Sequence, residues 1–310
     1  MVDLHQIIRL SNRAEHGALI PVKRRGMFVL MLSLAPAPLS ALDFSGYKRK
    51  EVDWADASIA DPPRVVKDYL GGKKVKVKVV KRTIVISKPG VYDFKNVVHV
   101  AKFSSKCDQS EGRPPLLHVR SGGVTVRNWI GAGTGHDGIH VHSGRGQGWK
   151  SRDLVRRVKF ERCWQRACED ALTIGFKTRD ISFERCGFIP NPEGKYRDKL
   201  AQLNHADNVV FSRCYFGPTK NAIEFKSGAK LLLRRCVIDH CSTGLRVDTS
   251  DKYGGITPDR PTRVRTEECR FHKCHHPAYL DGTVRWESRD DEFERTMRTI
   301  KKNGAEVDKR

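Results

Sequence analysis

A six-residue pattern of alternating apolar and polar positions, closing on a cysteine, recurs through the middle and later part of the chain. It reads VKFERC at 158–163, ISFERC at 181–186, VVFSRC at 209–214, LLLRRC at 231–236 and VRTEEC at 264–269. Positions one and three are apolar, Thr266 excepted, and the fifth is mostly arginine. In an earlier copy, VTVRNW at 124–129, Trp129 holds the place of the cysteine. Alternation sends successive side chains to opposite faces of an extended backbone, so these segments predict strands rather than helices.

A second set of segments follows the first: DGIHV at 137–141, DALTI at 170–174, DKLAQ at 198–202, NAIEF at 221–225 and TGLRV at 243–247. The small residues near the start of most copies mark a sharp bend into each strand. Copies begin at intervals of roughly 22 to 34 residues, the size of one solenoid turn with loops of varying length. Two alternating strands per turn, with no helical pattern between them, predict an all-β fold, a right-handed parallel β-helix. The tail at 286–302 (WESRDDEFERTMRTIKK) reads as a short C-terminal helix that caps the last turn.

Nine cysteines and a net charge of +22 narrow the setting. Lys23, Arg24 and Arg25 precede an apolar run at 27–39 that ends on Ser40 and Ala41, the order of a secretory signal. The expected organisation is therefore an N-terminal extension and signal peptide at 1–41 and a single β-helix domain at 42–310, exported and monomeric. The apolar run is too short and proline-interrupted to span a bilayer, so no membrane anchor is expected. Cysteines that recur once per turn do not converge as zinc ligands do. They predict an interior ladder of small, soft side chains, with a disulfide such as Cys241 to Cys274 left open. The positive charge favours a polyanionic partner. Nucleic acid ranks last, because the chain has no recognisable reader motif.

Stacked turns place equivalent residues roughly 4.8 Å apart. The alignment puts Asp137, Asp170 and Asp198 in one column, with Glu169 beside the middle member. Carboxylates so close repel one another unless a cation neutralises them, and Ca2+ takes several carboxylate oxygens. The position after these acids holds Gly138, Ala171, Ala222 and Gly244 in the other turns but Lys199 in the third. Gln202, Asn204, Glu224 and Arg246 are expected nearby, with Lys220 and Lys226 on the turn between.

Three motifs occur in a distinctive order: D-G-I-H at 137–140, C-E-D-A at 168–171 and D-K-x-x-Q-x-N at 198–204. In this the chain resembles the compact pectate lyases of polysaccharide lyase family 3, over roughly residues 122–216, about a third of its length. The resemblance implies a parallel β-helix that binds Ca2+ through Asp137, Glu169 and Asp170 and cleaves polygalacturonate by β-elimination. It implies Lys199 in the catalytic cleft; around it, the column reading makes Asp198, Gln202, Asn204, Lys226 and His140 the expected substrate contacts. One departure stands out: the turn where the family carries a catalytic arginine has Glu224 at the nearest aligned position. Arg246 fills the same strand column one turn later, so Lys199, Arg246 and Lys220 are the catalytic candidates.

Rival readings remain. A glycoside hydrolase on the same solenoid needs two carboxylates flanking the sugar, such as Asp170 and Asp198. A noncatalytic carbohydrate-binding solenoid needs no arginine at all. His136, His140, His142 and the HKCHH stretch at 272–276 offer transition-metal ligands. His140 and His142, however, share one strand face, where hydrogen bonding or substrate contact is the commoner use.

Overall fold

In a computed structural model, residues 62–103, 113–134, 137–144, 153–191, 199–226, 230–249, 262–296, 299–302 and 304–309 are described. The signal segment, His136 and Asp198 lie outside them. Alternating apolar residues drive every strand to bury one face, and the chain satisfies this by coiling. Three parallel sheets of nine strands each run the length of a right-handed β-helix, and each coil contributes one strand to each sheet. The fourth coil is representative: Trp164–Ala167 enters the first sheet, Leu172–Ile174 the second and Thr178–Glu184 the third. The predicted segments form the second and third sheets. The first sheet, built of strands as short as Tyr215–Phe216, supplies a third side that the two-strand repeat did not announce.

Register stacks like on like. Val126, Phe160, Phe183, Phe211, Leu233 and Thr266 are successive partners in the third sheet. The rings of Phe160 and Phe183 stack at 4.8 Å, and those of Phe183 and Phe211 at 4.7 Å. Truncating the middle ring to alanine would leave a cavity worth about 3–5 kcal/mol. Thr266, the polar member, accepts from Trp286 Nε1 at 2.9 Å and donates to Asp291. The residue before Trp129 and before each recurring cysteine turns the corner in the left-handed region. Asn128, Arg162, Arg185, Arg213, Arg235 and Glu268 have φ of 52–54°.

Beyond that corner lie the buried, unbridged thiols of Cys163, Cys186, Cys214, Cys236 and Cys269. Each of the first four donates to a carbonyl of the preceding coil, as Cys186 does to Phe160 O at 3.6 Å. Burial pushes the thiols of Cys163, Cys214 and Cys269 well up, so they stay neutral. Cys241 and Cys274 are free thiols too, so no disulfide joins them; Cys168 is disulfide-bonded.

The expected C-terminal helix is not formed. The tail continues the solenoid as strands Val284–Arg289, Glu292–Glu294 and Ile300–Lys302, and Glu306–Lys309 completes the ninth coil. Its glutamates and arginines favour a helix locally, but pairing with the coil beneath, as in Val264 with Trp286 and Phe271 with Phe293, prevails. The helix among the described residues lies near the other end. Arg64–Leu70 docks through Val66 on Val98, Val100, Ile130 and Ala132, the outer face of the first sheet. No helix among the described residues is long and apolar enough to cross a membrane.

Candidate functional site

The second sheet carries its apolar residues inward and a polar face outward. Ile139, Leu172, Ala201, Ile223 and Leu245 form one inward column. Next to it, His118, His140, Thr173, Gln202, Glu224, Arg246 and Tyr279 form the outward one. The bends into these strands are tight. A Cβ on Gly138 would sit 2.0 Å from the carbonyl oxygen of Ala171, which is why glycine stands there.

This register corrects the sequence alignment by one residue. Leu172 pairs with Ala201 and Lys199 pairs with Asn221, so Lys199 continues the column of Asp137 and Asp170. Asp198 lies outside the described residues, and Leu200, not Lys199, occupies the bend position of Gly138 and Ala171. The shift brings the cation onto the acids, with Lys199 Nζ lying 3.7 Å from Asp170 Oδ1.

Asp170 is the centre of the cluster. Thr173 Oγ1 donates to its Oδ2 at 3.4 Å, and the Gln202 amide, oriented as its neighbours require, donates to the same oxygen at 2.7 Å. Its Oδ1 is buried and makes no hydrogen bond. Burial pushes the Asp170 carboxyl well above the ordinary range. Lys199 opposes this, and the charges of Asp137, Glu169 and Glu224 add to it. A buried carboxylate oxygen with two further acids close by fits a hard cation with oxygen ligands. Asp137, Glu169 and Asp170 are the residues that could hold such a cation, although their carboxylate oxygens do not all lie within 4.8 Å of one another.

On one flank, the acids meet a chain of imidazoles. Arg120 Nε donates to His118 Nδ1 at 3.1 Å, which leaves His118 Nε2–H to donate to His142 O at 3.0 Å. His142 Nε2 lies 3.4 Å from His140 Nδ1, and His140 Nε2 lies 3.2 Å from Asp137 Oδ2. Burial pushes His118 down to about 3 and His142 to about 4, so both stay neutral at ordinary pH.

On the other flank, Lys226 Nζ lies 3.1 Å from the Gln202 carbonyl and 3.4 Å from Glu224 Oε2. Arg246 Nε lies 3.6 Å from Glu224 Oε1 and its guanidinium 5.9 Å from the Tyr279 ring centre. The side chain of Arg246 is 33% exposed against 13% for Lys199 and 14% for Lys226. Asn204 is buried beside Lys226, its register partner. Lys220 is exposed. The second sheet thus carries Asp137, Asp170, Lys199, Gln202, Lys226, Glu224 and Arg246 on neighbouring coils.

Sequence reasoning named His272 among possible transition-metal ligands but missed the cluster it belongs to. Asp239, His240 and His272 are the group of metal-type ligands among the described residues whose donor atoms all lie within 4.8 Å of one another. The signal was available in the first sheet's register, where Asp239 pairs with His272, but that sheet was not recognised.

Fold and site define a right-handed parallel β-helix protein with an acid–lysine cluster on one polar face. No protein-family model matches the chain, and no curated protein matches it.

Proposed function

We propose that the protein is a calcium-dependent polysaccharide lyase that cleaves an acidic polymer of the pectate type by β-elimination. The observation that carries this reading is Lys199 Nζ at 3.7 Å from the buried Asp170, in one column with Asp137. Export from the cell and monomeric action belong to the same reading. A uronate chain laid across the outward column meets Lys199, Lys226 and Arg246 in order, and the protein's charge of +22 draws such a polyanion in. Arg246, the more exposed cation, binds a uronate carboxylate. Lys199 Nζ, in its neutral form after giving up its own proton to solvent, takes the proton from the carbon bearing that carboxylate. The electrons released form the new carbon–carbon double bond, the bond to the adjoining glycosidic oxygen breaks, and the leaving oxygen gains a proton from water. When bound, Ca2+ would pair with the substrate carboxylate and stabilise the developing negative charge.

One feature favours a second reading, a carbohydrate-binding solenoid without catalysis. Glu224 stands where the resembling family carries its arginine, and it engages both Lys226 and Arg246. Incubation with polygalacturonate, alginate and glycosaminoglycans, with calcium or chelator, separates the two by ultraviolet absorbance of the unsaturated product. The lyase reading expects calcium-dependent absorbance on polygalacturonate that Lys199→Ala lowers by roughly 10²–10⁴-fold with its melting curve unchanged. Polymer binding with no absorbance under any condition selects the binding module, and absorbance indifferent to chelator removes calcium from the scheme.

A further inference from the structure

The first sheet carries a constellation that this chemistry does not use. Asp239, His272 and Glu294 are register partners in three successive coils, and His240 follows Asp239 at the corner. Asp239 is fully buried, yet two imidazoles converge on one of its oxygens. His240 Nδ1 lies 2.6 Å and His272 Nδ1 2.7 Å from Oδ1, while the Tyr215 hydroxyl donates to Oδ2 at 3.0 Å. The second nitrogen of His272, Nε2, faces Glu294 Oε1 at 3.7 Å.

Two imidazoles and a carboxylate are the donors of a first-row transition ion, not of calcium, which prefers oxygen alone. The outer contacts follow the same logic. Ligating histidines characteristically direct their other nitrogen to a carboxylate, and ligating carboxylates are themselves hydrogen-bonded, which fixes tautomer and orientation. Glu294 does this for His272, and Tyr215 does it for Asp239.

We propose that Asp239, His240 and His272 form a binding site for a divalent first-row transition ion, with zinc the expected occupant. The site is separate from the acid column: it joins the seventh and eighth coils on the first sheet, roughly 15 Å along the axis from Asp170. Metal–ligand bonds of about 2.0–2.1 Å set neighbouring donors about 3.0–3.4 Å apart, so binding lengthens the two Asp239–histidine separations by about half an ångström. Each imidazole then keeps its proton on Nε2, and in His272 that proton points at Glu294. Three protein ligands leave a further position for water, and the His240 side chain is 13% exposed. An ion held this way ties consecutive coils together near the C-terminal end.

The test uses the full chain, stripped with chelator and titrated with Co2+ as a visible probe. One equivalent develops a ligand-field absorption band that Zn2+ displaces and Ca2+ does not. A His240→Gln/His272→Gln double variant loses at least about 100-fold in affinity, whereas Glu294→Gln loses about tenfold. His275→Gln, at an exposed imidazole, changes nothing. Unchanged affinity in the double variant, or no band from a natively folded wild type, overturns the site. Should the double variant not fold, Glu294→Gln at its exposed position decides, and an unaltered affinity there overturns the assignment equally.

Discussion

A single backbone angle repeats at each corner between the third and first sheets from the second coil to the seventh. Arg185, with φ of 54°, is one of six residues in the left-handed region at that corner. L-residues other than glycine, asparagine and aspartate enter that region at a cost of roughly 1–2 kcal/mol. Side chains branched at Cβ fit it worst. Arg185→Val is therefore expected to lower stability by about 1–2 kcal/mol, and Arg185→Asn to hold or slightly raise it, as read by denaturant midpoints. Equal midpoints for the two variants would show that the corner tolerates any side chain.

Residue by residue, pH acts through His118 and His142. Unfolded, each binds its proton near 6.5; folded, near about 3 and about 4. Between those values the unfolded chain holds more protons, so stability falls as pH drops below 6.5. Each imidazole contributes about 1.4 kcal/mol per pH unit. Asp170, whose folded value is raised, works in the opposite sense, but its effect cancels when wild type and variant are compared. Between pH 6.5 and 5, His142→Asn should flatten the slope of stability against pH by about one imidazole's worth. Identical slopes for the two proteins would mean that His142 titrates normally in the fold.

At the level of elements, the sequence disclosed two sheets of the three and misplaced one strand by a residue. The third-sheet strands were legible because their alternation and terminal cysteine repeat with little change. The first-sheet strands were not, since two to five residues cannot establish a period. The misplaced strand shows what could have corrected it. Aligning Asp198 with Asp170 sets Gln202 against Ile174, which puts an amide inside the core. Aligning Lys199 instead sets Ala201 and Leu203 inward, as observed. A one-residue slip exchanges the faces of a strand, so interior parity decides register even when loop lengths vary. The site survived the error because Lys199 neighbours Asp198; its partner merely changed from a bend to Asp170. The tail failed for another reason: its helix-favouring residues were judged alone, whereas an open coil edge beneath it offers backbone partners along three sides.

For the molecule as a whole, the charge of +22 and the polar second sheet act together. Attraction between a basic surface and a polyanion decays over about 10 Å at 0.1 M salt. Binding of polygalacturonate should weaken by about tenfold or more between low and near-molar salt, and a neutral glucan should not bind at either. Affinity for the acidic polymer that ignores salt would assign recognition to shape instead of charge.

If the protein is exported, as proposed, the file of thiols has a consequence for its life outside a reducing cell. While the coils stay shut, burial shields Cys163, Cys186, Cys214, Cys236 and Cys269 from oxidants in solution. Once the solenoid opens in air, those sulfurs become interchangeable bonding partners, and any bridge between them locks in a chain that cannot rewind. Longevity in such surroundings is then governed by how rarely the barrel unseals, not by how strongly the closed form is favoured at equilibrium.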